Sequence, residues 1–104
     1  MINFNNFDLG NANVAIMGAG TSGRSAAELA SNNGSSVVIY DDDKKNDVDD
    51  KIIKIVHINS HTSIENIDIV IKSPGIPQNN NFIVRCREND IPIISEIEFA
   101  SWFS

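Results

Sequence analysis

Three glycines that directly follow a short apolar run constrain the fold of this chain most. Residues Asn13–Met17 read NVAIM, and the next residues have the pattern Gly18-x-Gly20-x-x-Gly23. A short apolar run ending in glycines is typical of a buried parallel strand that turns sharply into a helix. The first glycine permits the turn, the second lets a diphosphate approach the backbone, and the third lets the helix pack closely on the strand. The pattern therefore predicts a strand–loop–helix unit with a nucleotide diphosphate at the N-terminus of the helix.

The same residues also match part of a P-loop, which would imply a different ligand. Gly18 and Gly23 have the P-loop spacing, but Arg24 stands where that motif has lysine. The P-loop lysine is a compact charge that lies against the phosphates, and a planar guanidinium does not replace it simply. The strand-end carboxylate, Asp41, lies about 20 residues after the glycines, where a nucleotide-binding βαβ unit places an acid that receives ribose hydroxyls. The three-glycine interpretation is therefore favoured.

Predicted strands and helices alternate along the chain. We predict strands at residues 13–17, 37–40, 55–58, 69–72 and 92–95, helices at 22–33, 80–89 and 96–103, and one helical turn at 64–67. This alternation predicts a Rossmann-like α/β fold whose five-stranded, mostly parallel sheet has the order 3-2-1-4-5 and helices on both faces. Ligands of such sheets bind beyond the carboxyl ends of the strands, where the strand order reverses. We therefore expect the glycine loop, Asp41 and the turn at Ser73–Gly75 to converge there.

Composition and charge exclude several classes of function. The chain has 104 residues, a net charge of −6 and a single cysteine, Cys86. The acidity argues against nucleic-acid binding. Because the first residues have no basic segment and no long apolar run, we expect no secretory signal, and no apolar run in the sequence is long enough to span a membrane. One cysteine fits a reducing cytoplasm, where we expect Cys86 to be a core residue. His57 and His61 have no convincing further ligands, so we expect no metal site, and Glu96 stands at a helix start, where an acid is favoured.

Four segments, taken in order, resemble the N-terminal domain of a Mur ligase, and most closely the MurD family. They read VAIMGAGTSGRS, VVIYDDD, IDIVIKSPGIP and IPIISEIEFA, and they extend from Val14 to Ala100. The SPGIP and SEIE segments are the most specific, because many families share the glycine pattern. The glycine pattern taken alone leaves open an NAD(P)-binding domain of an oxidoreductase or an NAD sensor.

The resemblance implies that residues 1–104 are one domain that binds the UDP part of UDP-N-acetylmuramoyl-L-alanine. It places Thr21 and Ser22 with Gly18, Gly20 and Gly23 at the diphosphate, Asp41 and Asp42 at the uracil and ribose, and Ser73, Pro74 and Gly75 along the nucleoside pocket. Arg24 follows the last glycine, where its guanidinium either reaches a phosphate or points to solvent. It also implies a larger three-domain cytoplasmic enzyme that adds D-glutamate in peptidoglycan biosynthesis. Its central and C-terminal domains would supply the ATP and Mg²⁺ sites and the amino-acid site. This domain would hold no catalytic residue and no cofactor, so the chain alone is expected to be inactive.

Overall fold

The computed structural model describes residues 7–42 and 54–103. The strands are β1 (Asn13–Met17), β2 (Ser36–Asp41), β3 (Lys54–His57), β4 (Ile69–Lys72) and β5 (Ile93–Ser95). The helices are α1 (Thr21–Asn32), α2 (Asn81–Glu88) and α3 (Glu96–Ser101), and a 3₁₀ turn at Leu9–Asn11 precedes β1. Hydrophobic periodicity and glycine placement therefore located every one of these strands and α-helices, with ends that differ from the prediction by at most two residues.

The five strands form one sheet in the order β3-β2-β1-β4-β5. Each neighbouring pair is parallel, which confirms the predicted Rossmann-like α/β fold and strand order. Met17, the last residue of β1, lies opposite Tyr40 of β2 and Lys72 of β4. The carboxyl ends of these three strands are therefore level, and the loops that follow them emerge side by side.

Helices cover both faces of the sheet, as predicted. Successive side chains of β1 point to opposite faces of the sheet. On one face, α1 and α3 pack in a cluster that includes Val14, Ile16, Ala26, Ala27, Ala30, Ile39, Ile71 and Phe99. On the opposite face, α2 buries Phe82, Ile83 and Cys86 against Ala15, Met17, Tyr40 and Val70. The alanines of α1 let this helix lie close to the strands. Its N-terminus therefore lies near the carboxyl ends of the strands, where the loops emerge. No helix among the described residues is long and apolar enough to cross a bilayer.

The segment at residues 64–67 is a tight turn and not the predicted helical turn. The Ile67 N–H donates to the Ile64 carbonyl at 3.3 Å, but Asn66 has a φ of 68°. This left-handed conformation is incompatible with a right-handed helical turn, and asparagine is one of the few residues that adopts it readily. The turn leads into Asp68, whose carboxylate accepts a hydrogen bond from the Asn13 N–H at 2.7 Å and so joins the entry to β4 to the start of β1.

Candidate nucleotide-binding site

Two glycines of the loop between β1 and α1 are required by the close approach of neighbouring atoms. Gly18 has a φ of 116°, and a Cβ there would lie 2.8 Å from the Ser73 hydroxyl oxygen. A Cβ at Gly23 would lie 2.0 Å from the Gly18 carbonyl oxygen. A Cβ at Gly20, in contrast, would have no described atom within 4 Å. The fold therefore does not require Gly20, whose bare backbone faces open space and can be approached by a ligand.

The first N–H groups of α1 have no hydrogen-bond acceptor among the described residues. Gly20 is the N-cap residue and has no side chain with which to cap the helix. The Arg24 N–H donates to the Gly20 carbonyl at 3.0 Å, so the N–H groups of Thr21, Ser22 and Gly23 precede the first helical hydrogen bond. Thr21 and Ser22 are exposed, and the first turn contains no acidic residue. Together with the helix dipole, these donors form a site suited to an anion.

Asp41, the predicted strand-end acid, is the last residue of β2 and is only 8% exposed. Its Oδ2 atom accepts a hydrogen bond from the Ala19 N–H at 2.6 Å. Hydrogen bonds to a charged acceptor are short and strong, so this carboxylate fixes the glycine loop to β2. The structure thus places Asp41 beside the loop as predicted, and it adds that one carboxylate oxygen is engaged by the protein itself.

Arg24 holds the same loop from the other side. Its Nε donates to the Ala19 carbonyl at 3.0 Å, and the side chain is half-buried. The Ala19 N–H is therefore bound by the Asp41 carboxylate, and the Ala19 carbonyl by the Arg24 guanidinium. The sequence did not indicate this hydrogen bond from the Arg24 guanidinium to the loop backbone.

The turn that follows β4 lies against the glycine loop. The Ser73 N–H donates to the Met17 carbonyl at 3.2 Å, and the Ile76 N–H closes the turn on the Ser73 carbonyl at 3.1 Å. The Ser73 hydroxyl, which is in contact range of Gly18, donates to Glu96 Oε1 at 2.5 Å. Pro74 and Gly75 form the exposed tip of the turn. The structure therefore brings together the glycine loop, Asp41 and the Ser73–Gly75 turn at the carboxyl ends of β1, β2 and β4.

Asp42 lies somewhat apart, beside a cavity of about 340 Å³. Its Oδ2 accepts a hydrogen bond from the Asn80 side-chain amide at 3.0 Å. The Asn80 amide oxygen in turn accepts from the N–H groups of Phe82 and Ile83, at 2.9 and 3.3 Å, and so caps α2. Because both ends of the Asn80 amide are engaged, its orientation fixes that of the Asp42 carboxylate. The remaining lining of the cavity comes from Ile58, Asn59, Ser60, Asn81, Phe82 and Arg85.

Thr21 and Ser22 line a second cavity, of about 710 Å³, between α1 and α3. None of the cavities described here includes Asp41, Pro74 or Gly75 in its lining. The residues predicted for the site therefore lie on an open surface at the carboxyl ends of the strands. One cavity adjoins Asp42, and the other adjoins Thr21 and Ser22.

Three residues of this region were missed or given a different role by the sequence analysis. Lys72 is 9% exposed, and its ammonium group donates to the carbonyls of Ile76 and Ser73 at 2.7 and 3.3 Å. Glu96 is indeed in the first turn of α3, but it also receives the Ser73 hydroxyl. Asn80 orients Asp42. The available signal was a lysine at the end of an otherwise apolar strand, directly before the Ser-Pro-Gly turn.

The residues with metal-binding or nucleophilic potential lie elsewhere. His57 is on the edge strand β3, His61 is exposed, and no group of three His, Cys, Asp or Glu residues within 7–42 and 54–103 is arranged to hold a metal. Burial raises the pKa of the Cys86 thiol, which lies in the core against the sheet as predicted. This thiol is protonated at neutral pH and has a packing role.

Comparison with known proteins identifies the family. Residues 12–95 match the family described as the Mur ligase MurD-like N-terminal domain. The chain belongs to this family. Among its relatives, the UDP-N-acetylmuramoylalanine–D-glutamate ligase of Christiangramia forsetii is 40% identical over an alignment 97 residues long, which covers 88% of this chain and 22% of that relative. The ligase of the same name from Bacteroides thetaiotaomicron is 38% identical over 97 residues, with the same two coverages, 88% and 22%.

A solved structure supports the same conclusion about the fold. The crystal structure of the UDP-N-acetylmuramate–alanine ligase MurC from Thermotoga maritima matches with a TM-score of 0.66 and 26% identity, covering 85% of this chain and 21% of that one. The resemblance found in the sequence is therefore confirmed, and the oxidoreductase alternative is not favoured. This MurD-like domain spans 22% of the length of the curated relatives named above.

Proposed function

We propose that this domain binds the UDP part of UDP-N-acetylmuramoyl-L-alanine for a ligase that adds D-glutamate in peptidoglycan biosynthesis. The observation that carries the proposal is the uncapped N-terminus of α1, held between Asp41 and the Ser73–Gly75 turn. The names of the relatives support D-glutamate as the amino acid added.

The diphosphate would bind at the glycine loop. Gly20 allows close approach, and the N–H groups of Thr21, Ser22 and Gly23 would donate to the phosphate oxygens, with the two hydroxyls as further donors. Gly18 shapes the turn. Arg24 adds a positive charge beside the loop that it holds. These local donors explain how a domain with a net charge of −6 can attract a diphosphate.

The nucleoside would lie across the ends of β2 and β4. Carboxylates such as Asp41 and Asp42 accept hydrogen bonds from ribose hydroxyls or from the imide N–H of uracil. The exposed Pro74 and Gly75 would line the opposite side, with Ser73 anchored beneath them by Glu96. The cavity beside Asp42, about 340 Å³, is within the size range of small-molecule sites.

The remaining chemistry would belong to other domains of the parent ligase. In that enzyme, the substrate carboxylate would take the γ-phosphoryl group of Mg²⁺-bound ATP, leaving ADP. The amine of D-glutamate would then displace inorganic phosphate from the acyl phosphate, losing a proton as the amide forms. The proposed site of this domain offers only positioning groups, so the 104-residue chain by itself is expected to be inactive. We place the parent enzyme in the cytoplasm, without nucleic-acid or membrane partners.

Titration followed by amide NMR tests the proposal. UDP, UDP-N-acetylmuramoyl-L-alanine, NADH and ATP are added separately to the ¹⁵N-labelled chain. We expect the two uridine compounds to shift the amides of Gly20–Gly23, Asp42 and Gly75. The amide of Asn33, at the C-terminal end of α1 and so at the opposite end of that helix, serves as the internal reference. Shifts caused by NADH but not by UDP would refute the proposal and restore the oxidoreductase alternative.

A further inference from the structure

Two buried charges flank the central strand of the sheet. Among the described residues, Asp41 and Lys72 are the buried charged side chains, at 8% and 9% exposure. They are the last residues of β2 and β4, the two strands that pair with β1. Asp41 binds the glycine loop through the Ala19 N–H, and Lys72 binds the neighbouring turn through the Ile76 carbonyl. Each of the two loops of the proposed site is therefore held from beneath by one buried charge.

The hydrogen bonds of Lys72 do not indicate that its buried charge stabilises the fold. Its ammonium group donates to two neutral carbonyls, those of Ile76 and Ser73. No carboxylate within residues 7–42 and 54–103 forms an ion pair with it. Burying an unpaired ammonium group is costly, and an apolar side chain of similar shape is often accommodated equally well or better. The charge is therefore better explained by what it does to the turn.

Lys72 contacts both ends of a turn whose tip has few other contacts. Pro74 and Gly75 are exposed, and a Cβ at Gly75 would meet no described atom within 4 Å, so the tip is not fixed by packing. Lys72 binds the carbonyls at both ends of the turn, while Glu96 holds only the Ser73 hydroxyl. We propose that Lys72 is a positioning residue, which fixes the Ser73–Ile76 turn so that Pro74 and Gly75 are presented to the nucleoside. This inference rests on the proposed function for the identity of the ligand.

The test compares Lys72→Met with Lys54→Met. Methionine has nearly the length of lysine without its charge or donors, and Lys54 is an exposed lysine at the start of the edge strand β3. For each variant of the full chain we would measure ¹⁵N relaxation of the Gly75 and Ile76 amides without ligand, the Kd for UDP, and the thermal midpoint. Lys72→Met should increase the mobility of both amides and raise the Kd about tenfold, at an unchanged or higher midpoint. Lys54→Met should change none of the three.

A conservative variant separates a positioning role from a purely structural one. A cavity of about 300 Å³ beside Lys72, also lined by Gln78, Arg87 and Ser95, leaves room for a guanidinium group. Lys72→Arg should therefore restore the donors and keep the Kd for UDP within about threefold of the wild-type value.

The results that would overturn the inference are distinct from failure of the proposed function. Unchanged amide order and unchanged UDP affinity in Lys72→Met would overturn it, as would an unfolded Lys72→Met chain, which would show a structural role. If the wild-type chain does not bind UDP, the proposed function fails. The relaxation data would then still decide whether Lys72 orders the turn, since increased mobility supports that role and unchanged mobility excludes it.

Discussion

Substituting Gly20 by alanine should separate ligand binding from folding. Gly20 has φ −71° and ψ −177°, an extended conformation open to alanine, and a Cβ there would meet no described atom within 4 Å. Alanine is a poorer N-cap residue than glycine, at a cost of about 0.5–1 kcal/mol. Alanine also lowers the conformational entropy of the unfolded chain, which stabilises the folded state by about 0.4–1 kcal/mol. The free energy of unfolding should therefore change by less than about 0.5 kcal/mol.

The same methyl group should weaken nucleotide binding. It would project into the open space from which the diphosphate approaches the loop backbone, and it would hold the phosphate oxygens away from the helix N–H groups. A tenfold loss of affinity for UDP, about 1.4 kcal/mol, is expected. Isothermal titration calorimetry with UDP gives the affinity, and urea unfolding gives the stability.

The matched control is Gly23→Ala in the same loop. Its Cβ would lie 2.0 Å from the Gly18 carbonyl oxygen, a backbone atom that cannot move without moving the loop. Overpacking of this kind costs about 1–3 kcal/mol or more, which exceeds the gain in helix propensity of under about 1 kcal/mol. A Gly20→Ala chain that binds UDP like the wild type would refute the placement of the diphosphate. One that is as unstable as Gly23→Ala would refute the packing analysis.

Three further predictions concern the residues around the site. Asp41→Ala leaves the buried Ala19 N–H without its acceptor and should lower the free energy of unfolding in urea by about 1–3 kcal/mol, whereas Asp41→Asn retains an acceptor and should cost less. Asn80→Ala removes the cap of α2 and should cost about 1 kcal/mol, while Asn80→Ser keeps a capping oxygen without placing a second carboxylate beside Asp42 and should melt at a higher temperature than Asn80→Ala. Burial raises the pKa of Cys86 above its ordinary value of 9.0, so the stability linked to this thiol is complete below that pH and is lost as the pH rises through the folded-state pKa. Cys86→Ala should reduce this alkaline loss in unfolding measurements between neutral and alkaline pH.

The elements that the sequence predicted are those with local signals. The apolar run of β1 and the glycines after it specify a strand and a turn through residues adjacent in the chain, and the structure has both. The helical turn at residues 64–67 was wrong because a pair of isoleucines three apart fits a tight turn equally well, and the left-handed Asn66 was not recognisable from the pattern.

The contacts that arrange the site could not be predicted, because they join residues distant in sequence. The Ala19–Asp41 hydrogen bond spans 22 positions, the Ser73–Glu96 bond 23, and the Asn80–Asp42 bond 38. Sequence pattern located each partner at a strand end or a helix start, but only the strand register shows which of these ends are level. Lys72 was missed although its hydrogen-bond partners, Ser73 and Ile76, are near it in the sequence, because the strand pattern does not show that the following turn folds back onto the ammonium group.

These long-range contacts also show how an acidic domain could accept the proposed diphosphate. At physiological ionic strength, charges separated by more than about 8 Å are largely screened, so the carboxylates nearest the loop matter most. Asp41, Asp42 and Glu96 each accept a hydrogen bond, from the Ala19 N–H, the Asn80 amide and the Ser73 hydroxyl. Each bond directs part of the carboxylate charge into the protein, and each also fixes a loop or turn of the proposed site. Asp41 thereby holds the glycine loop, and Glu96 holds the neighbouring Ser73 turn, so acids that would repel the proposed ligand also organise its site.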